Sequence, residues 1–119
     1  MSEGVPQEYL DEPRRYFLEW IPELLRAHDG ADDHFGKFEA VAQFHLTGDE
    51  GGWYYFALGG GAVDVAEGQH PKPSFTLTMS VDTWRHLNQG ASGLRAYLRG
   101  DVKFQGSRWK FLRVTRLFS

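Results

Sequence analysis

A chain of 119 residues, with no cysteine and 15% aromatic side chains, has room for one core and no disulfide or thiolate-bound metal to staple it. At 41% hydrophobic and 24% charged it falls among sequences that fold and outside those that stay disordered. The net charge of −3 is unevenly spread: residues 1–84 carry fifteen acidic and five basic side chains, a net of −10, whereas 85–119 carry eight basic ones against Asp101, a net of +7. Two readings of this asymmetry stand: the oppositely charged parts attract each other on folding, or the basic part faces an anion. The overall acidic balance and the lack of any recognition motif argue against nucleic acid as that anion. A lipid headgroup, a phosphate-bearing ligand or an anionic membrane surface fits better. The N-terminus has no basic stretch leading into an apolar one, no run is long enough to span a bilayer, and Leu117-Phe118-Ser119 is neither a peroxisomal nor a lipidation signal, so a cytoplasmic location is expected.

In chain order, residues 1–12 read as a polar, flexible leader. Asp11 is placed to cap a helix that Pro13 enters in its first turn, with Tyr16, Phe17, Trp20, Ile21, Leu24 and Leu25 at helical spacing as far as His28. Pro22, inside that pattern, predicts a kink or a division into two pieces. After a polar loop over 28–34 the period changes to two: in 37–47 the apolar residues are Phe38, Ala40, Ala42, Phe44 and Leu46. A turn at 48–52, an aromatic strand over 53–58, a second turn at the glycine triplet 59–61 and a short strand over 62–67 with Val63 and Val65 on one face complete an antiparallel meander. Beyond Pro71 and Pro73, residues 74–79 alternate Phe75, Leu77 and Met79 with Ser74, Thr76 and Thr78, a fourth strand. Ser80 is predicted to cap a helix that holds Trp84 and Leu87 and stops at Gly90. Ser92 caps a second with Leu94, Tyr97 and Leu98, stopping at Gly100. Residues 102–105 form a fifth strand, and Ser107 caps a last helix with Phe111, Leu112, Thr115 and Leu117 or Phe118 turned inward. The pattern is α+β, one domain over 1–119.

Few residues gather as chemistry would need them. His28, Asp29, Asp32, Asp33 and His34 lie within seven residues but match neither HExxH nor calcium-loop spacing, so a connecting loop is expected and no metal. The triplet Gly59-Gly60-Gly61 opens no G-x-G-x-x-G or Walker helix and reads as a hairpin turn. No serine stands in a nucleophile elbow, and His45 and His86 have no orienting partner in the sequence, so no catalytic residue and no cofactor are expected. Phe44, Leu46, Phe56, Leu58, Phe75, Leu77, Met79 and Phe104 on the strands, with Trp84, Leu87, Leu94, Tyr97, Leu98 and Leu112 on the helices, either close a solid core or line a cavity. Close packing of protein interiors favours the solid core from pattern alone.

The ordered set over 44–118 resembles the sterol carrier protein type two family. It consists of Phe44-His45-Leu46, a glycine-containing turn, the aromatic strand over 53–58, Gly59-Gly60-Gly61, the stretch from Phe75 to Ser80, Thr83-Trp84-Arg85-His86-Leu87, Gly90, Ala96-Tyr97-Leu98, the stretch from Gly100 to Gly106, and Leu112 with Leu117-Phe118. The resemblance implies a five-stranded, mostly antiparallel sheet covered on one face by helices, with an apolar tunnel between them. Such a tunnel holds sterols, fatty acids, fatty acyl-CoA or phospholipids, which the family binds or transfers without chemistry. Carried over by position, the tunnel-lining residues are Phe56, Leu58, Phe75, Leu77, Met79, Trp84, Leu87, Leu94, Tyr97, Leu98, Phe104 and Leu112, and Arg95, Arg99 and Arg113 are the headgroup candidates. The stretch between Gly90 and Gly100 is about one residue shorter than in many members, with Gly93-Leu94 where a turn bearing Pro and Gln is common, which bears on headgroup preference. The end at Leu117-Phe118-Ser119, without the extension of the eukaryotic carriers, suggests a bacterial-type stand-alone domain. The partners expected are a lipid ligand and, transiently, an anionic membrane surface; oligomeric state is left open. Two rivals remain: a structural or oligomerisation module with a filled core, and a hydrolase or acyltransferase of lipid thioesters using His45 or His86 as base.

Overall fold

The computed structural model describes residues 5–28, 39–59 and 62–115, the side chains of 25–28 excepted. The sheet grows from β1 (Ala40–Thr47), whose alternation turns Ala42, Phe44 and Leu46 inward. β2 (Gly52–Gly59) pairs antiparallel with β1, placing Tyr54 beside Phe44 and Phe56 beside Ala42, and β3 (Ala62–Glu67) pairs antiparallel with β2. That is the meander expected. β4 (Phe75–Ser80) then lies on the other side of β1 and parallel to it, with Phe75 opposite Ala42 and Met79 opposite Leu46, and β5 (Val102–Gly106) closes the edge antiparallel to β4. The order is β3-β2-β1-β4-β5, mostly antiparallel with one parallel pair at its centre.

A parallel pair needs a connection that returns along the sheet. Residues 68–74 supply it on the outer face, where the odd-numbered side chains of β1 point. The His70 amide donates to Gln43 Oε1 at 2.6 Å, and Gln43 Nε2 donates to Thr76 Oγ1 at 3.1 Å. Gln43 is buried by this crossing and has both ends of its amide satisfied, as a buried polar group requires.

Helices cover the inner face. Within the expected polar leader, Gln7–Asp11 form α1, with Leu10 buried. Asp11 closes α1 rather than capping the next helix. Its carboxylate accepts from Gln7 Nε2 at 2.9 Å, and the break falls at Glu12, which is extended (φ −133°, ψ 91°) because the following Pro13 disfavours a helical residue before it. From α2 (Pro13–Arg15) the chain widens into a π-helical turn (Tyr16–Trp20) and resumes as α3 (Ile21–His28). The wide turn ends just before Pro22. A proline inside a regular helix collides with the carbonyl four residues back; of the kink or division expected at Pro22, the chain shows neither a break nor a new start there but one extra residue in the turn before it, which absorbs the misfit.

Three serines start the remaining helices as read from the sequence. Ser80 Oγ accepts from the Thr83 amide at 3.0 Å at the head of α4 (Val81–Asn88), Ser92 Oγ from Arg95 at 3.2 Å at α5 (Gly93–Leu98), and Ser107 Oγ from Lys110 at 3.1 Å at α6 (Arg108–Thr115). Attraction between the oppositely charged parts is realised at Arg85. Its guanidinium donates to the carbonyls of Leu10 (2.6 Å) and Asp11 (3.3 Å) and meets Glu50 at 2.7 Å, tying α1 and the β1–β2 turn to α4. Arg95, Lys103, Arg108 and Lys110 form no ion pair among the described residues.

Candidate functional site

Sheet and helices do not close completely on each other. They leave between them a half-open cavity of about 220 Å³. The sheet contributes Phe44, Phe56, Phe75, Leu77 and Met79; the N-terminal helical arm Tyr16, Phe17 and Ile21; α4 Trp84, Leu87 and Asn88; and α6 Phe111, Val114 and Thr115. Aromatic contacts hold these walls apart and in place. Phe17, on the π-helical turn, stacks on Tyr54 (4.6 Å, 5°) and leans on Phe44 (5.1 Å), while Tyr16 meets Trp84 edge-on (4.9 Å, 82°). At the other end Phe111 stands edge-on to both Phe75 (5.4 Å) and Phe104 (5.2 Å).

The few polar groups on the wall are neutral and mostly spent internally. Asn88 Nδ2 donates to the Trp84 carbonyl at 2.9 Å, and Thr115 Oγ1 donates to that of Leu112 at 2.8 Å. Burial pushes the Tyr16 hydroxyl far above the ordinary phenol range, which keeps it protonated. Trp84 Nε1 is a buried donor without a partner. No Asp, Glu, Lys, Arg or His lines the cavity among the described residues. An uncharged, largely apolar hollow of this kind accommodates apolar matter. His45 lies elsewhere, stacked on Trp53 (4.0 Å, 5°), and His86 is exposed.

Of the twelve lining residues expected, the structure brings six to the cavity: Phe56, Phe75, Leu77, Met79, Trp84 and Leu87. Leu58 is buried and Phe104 half-buried against the core without lining it. Leu94, Tyr97, Leu98 and Leu112 are exposed, which corrects their expected inward orientation. The reason lies in the opposite faces of the same helices: Ala96 is what α5 buries, and Phe111 and Val114 are what α6 turns inward. None of the headgroup candidates reaches the wall. Arg99 is held by Asp101 at 3.0 Å, Arg113 lies over the Trp109 ring at 5.1 Å, and Arg95 is exposed. Missing from the expected set were Tyr16, Phe17, Ile21, Phe44, Asn88, Phe111, Val114 and Thr115, although the helical spacing of Tyr16, Phe17 and Ile21 was their signal.

A larger hollow of about 520 Å³ between the helical arm and β3 has Glu19, Glu23 and Asp64 on its rim, a poor surface for apolar matter. Among the described residues no group of three His, Cys, Asp or Glu is placed to hold a metal ion. The cluster from Asp29 to His34 lies outside the described residues, as do Gly60 and Gly61 of the triplet. No helix of the described residues is long and apolar enough to cross a membrane.

This architecture recurs in solved structures. It is similar to sterol carrier protein domain 2 of Helicoverpa armigera (22% identity, 98% of this chain and 91% of that chain, TM-score 0.60). It is similar also to palmitated SCP2L2 from Aedes aegypti (19% identity, 84% of this chain and 92% of that chain, TM-score 0.60). A third similarity is to a portion of the sec-alkylsulfatase Pisa1 from Pseudomonas sp. (18% identity, TM-score 0.56), where 66% of this chain spans only 13% of that chain. Among curated proteins none is a significant match. At such identities the structures establish the fold. The family model described as the SCP-2 sterol transfer family matches residues 21–119, which takes in β1 to β5 and α3 to α6. The chain belongs to the SCP-2 sterol transfer family.

Proposed function

We propose that the protein holds a lipid non-covalently in the cavity between sheet and helices and releases it unchanged. The observation that carries this reading is the wall itself, built from three helical segments and the sheet and devoid of charge among the described residues. Removal of a methylene from water contributes about 0.8 kcal/mol, so about ten of them supply about 8 kcal/mol, which offsets the lower range of association costs and leaves binding reversible. Fatty acids are the first candidates, since one similar structure is described as palmitated; sterols, fatty acyl-CoA and phospholipids follow from the family. The cavity is smaller than the roughly 300–1,000 Å³ of pockets that bury a drug-sized ligand. A sterol or long acyl chain therefore either projects from it or displaces a wall helix. Such a carrier needs no cofactor, and a cysteine-free chain suits the cytoplasm.

Native and denaturing mass spectra of the purified protein test this. A lipid-sized mass that denaturation releases is the expected result, and Leu77→Trp, which places bulk in the cavity, is expected to lower its occupancy. A ligand-free protein that also fails to bind fluorescent fatty acids and sterols overturns the reading. The similarity to a small part of Pisa1 favours a second one, in which a domain of this fold serves as a structural module of a larger protein. That reading takes the lead if the cavity stays empty.

A further inference from the structure

The large hydrophobic side chains exposed among the described residues are Leu94, Tyr97, Leu98, Trp109 and Leu112, and all of them fall on α5 and α6. Leu98 is 72% exposed, Leu94 68% and Trp109 63%. Single exposed apolar residues are ordinary on any protein, but a concentration on two elements marks an interaction surface. Their spacing is that of one helix face each: 94, 97 and 98 on α5, 109 and 112 on α6. α5 packs on β5, while α6, which follows β5 in the chain, packs on β1 and β4 and touches β5 through the ring of Phe111 against Phe104.

The same stretch of chain is basic. Arg95, Arg99, Lys103, Arg108, Lys110 and Arg113 are opposed only by Asp101. Arg99 is engaged by Asp101, while Arg95, Lys103, Arg108 and Lys110 have no acidic partner among the described residues. We propose that this α5–β5–α6 face docks the protein on an anionic lipid bilayer. Leu94, Leu98, Leu112 and Trp109 enter the headgroup boundary, and the flanking cations meet lipid phosphates. The charge selects this occupant. A second copy would set one basic face against another, which is repulsive, whereas a bilayer rich in anionic lipid matches both the cations and the leucine and tryptophan between them.

Docking at α6 also has a use. Phe111, Val114 and Thr115 line the cavity from the inner side of the helix that presents Trp109 and Leu112 outward, so a bilayer holding α6 is next to the cavity wall. This use rests on the lipid-carrier reading; the docking itself does not.

The full chain is tested by flotation with phosphatidylcholine vesicles with and without phosphatidylglycerol, at low and high salt. Binding is expected only with phosphatidylglycerol and is expected to fall as salt screens the cations. Arg95→Gln and Lys110→Gln should each weaken it about five-fold. Leu98→Ser should weaken it further while changing the melting temperature little, because that side chain is 72% exposed. Equal binding to both vesicle types, no binding to either, or a wild-type dimer that Leu98→Ser disperses overturns the proposal. Uptake of a fluorescent fatty acid, measured without vesicles, separates the two readings. Uptake with failed flotation refutes the docking face alone; flotation with failed uptake refutes the carrier reading alone.

Discussion

Replacing Phe17 by alanine probes whether the N-terminal arm is a fixed wall of the cavity or a loose cover. Phe17 is 1% exposed, stacks face to face on Tyr54, leans on Phe44 and stands 6.3 Å from Trp84. Truncation of a buried phenylalanine to alanine costs about 3–5 kcal/mol through lost transfer energy and the void left behind. The stacked Tyr54 contact, worth about 0.5–1.5 kcal/mol beyond its area, puts Phe17 in the upper part of that range. Against a total stability of about 5–15 kcal/mol, a loss of about 4 kcal/mol leaves a marginal domain, its melting temperature lower by roughly 15 °C. Urea unfolding followed by tryptophan fluorescence measures the loss directly, since Trp84 lies 6.3 Å from the Phe17 ring. Phe17→Leu, which keeps most of the volume, should lose about 1–1.5 kcal/mol. A cost below about 1.5 kcal/mol for the alanine variant means the arm is not docked through Phe17, and the cavity then lacks one of its walls.

Two further outcomes follow from buried or strained positions. Burial raises the Tyr16 phenol above its ordinary value near 10, and burial with the Glu67 charge raises that of Tyr54 in spite of nearby Arg14. A raised acid contributes stability that is fully present below the unfolded value and lost as pH climbs past it. The urea midpoint should therefore fall above about pH 10, and Tyr16→Phe should flatten that fall; an unchanged slope contradicts the burial. Gly106 has φ +116°, and a Cβ there would lie 2.5 Å from the Ser74 carbonyl oxygen and 2.6 Å from the Phe75 Cα. Gly106→Ala should cost well over the about 1 kcal/mol expected of Gly90→Ala, whose φ of +105° is similar but whose surroundings are open; equal losses in thermal melts refute the clash.

Local chemistry was legible where it acts over a few residues. The serine caps at 80, 92 and 107 and the alternation that defines the strands need only near neighbours, and they appear as read. The parallel pairing of β1 with β4 was not legible, because Ala42 and Phe75 meet across a distance that no local pattern encodes. Residue type misled on α5 and α6. Leu94, Leu98 and Leu112 are apolar, but apolarity says that a side chain avoids water, not whether its cover is the protein's own core. Ala96 faces inward instead, since a helix lying close on β5 has room for a methyl group and not for leucine. Three of the fourteen wall residues, Tyr16, Phe17 and Ile21, came from a segment whose helical spacing was read only as an amphipathic helix. Spacing shows which face is buried and not whether that face is filled to contact.

The parallel junction of β1 and β4 has a consequence for the order in which the molecule comes into being. The β1–β2–β3 hairpins join neighbours in the chain and can zip quickly, but β4 must find β1 after the rest of the meander has intervened. The cavity draws its lining from Tyr16 at one extreme and Thr115 at the other, with the β1–β4 seam running between Phe44 and Leu77 beneath it. On the ribosome, where domains emerge from the N-terminus onward, the chain must leave the exit tunnel as far as Thr115 before all the walls of the cavity exist to admit a guest. A nascent chain therefore shows its aromatic side chains to the surroundings until residues 108–115 have emerged, and α6 then completes the wall over them.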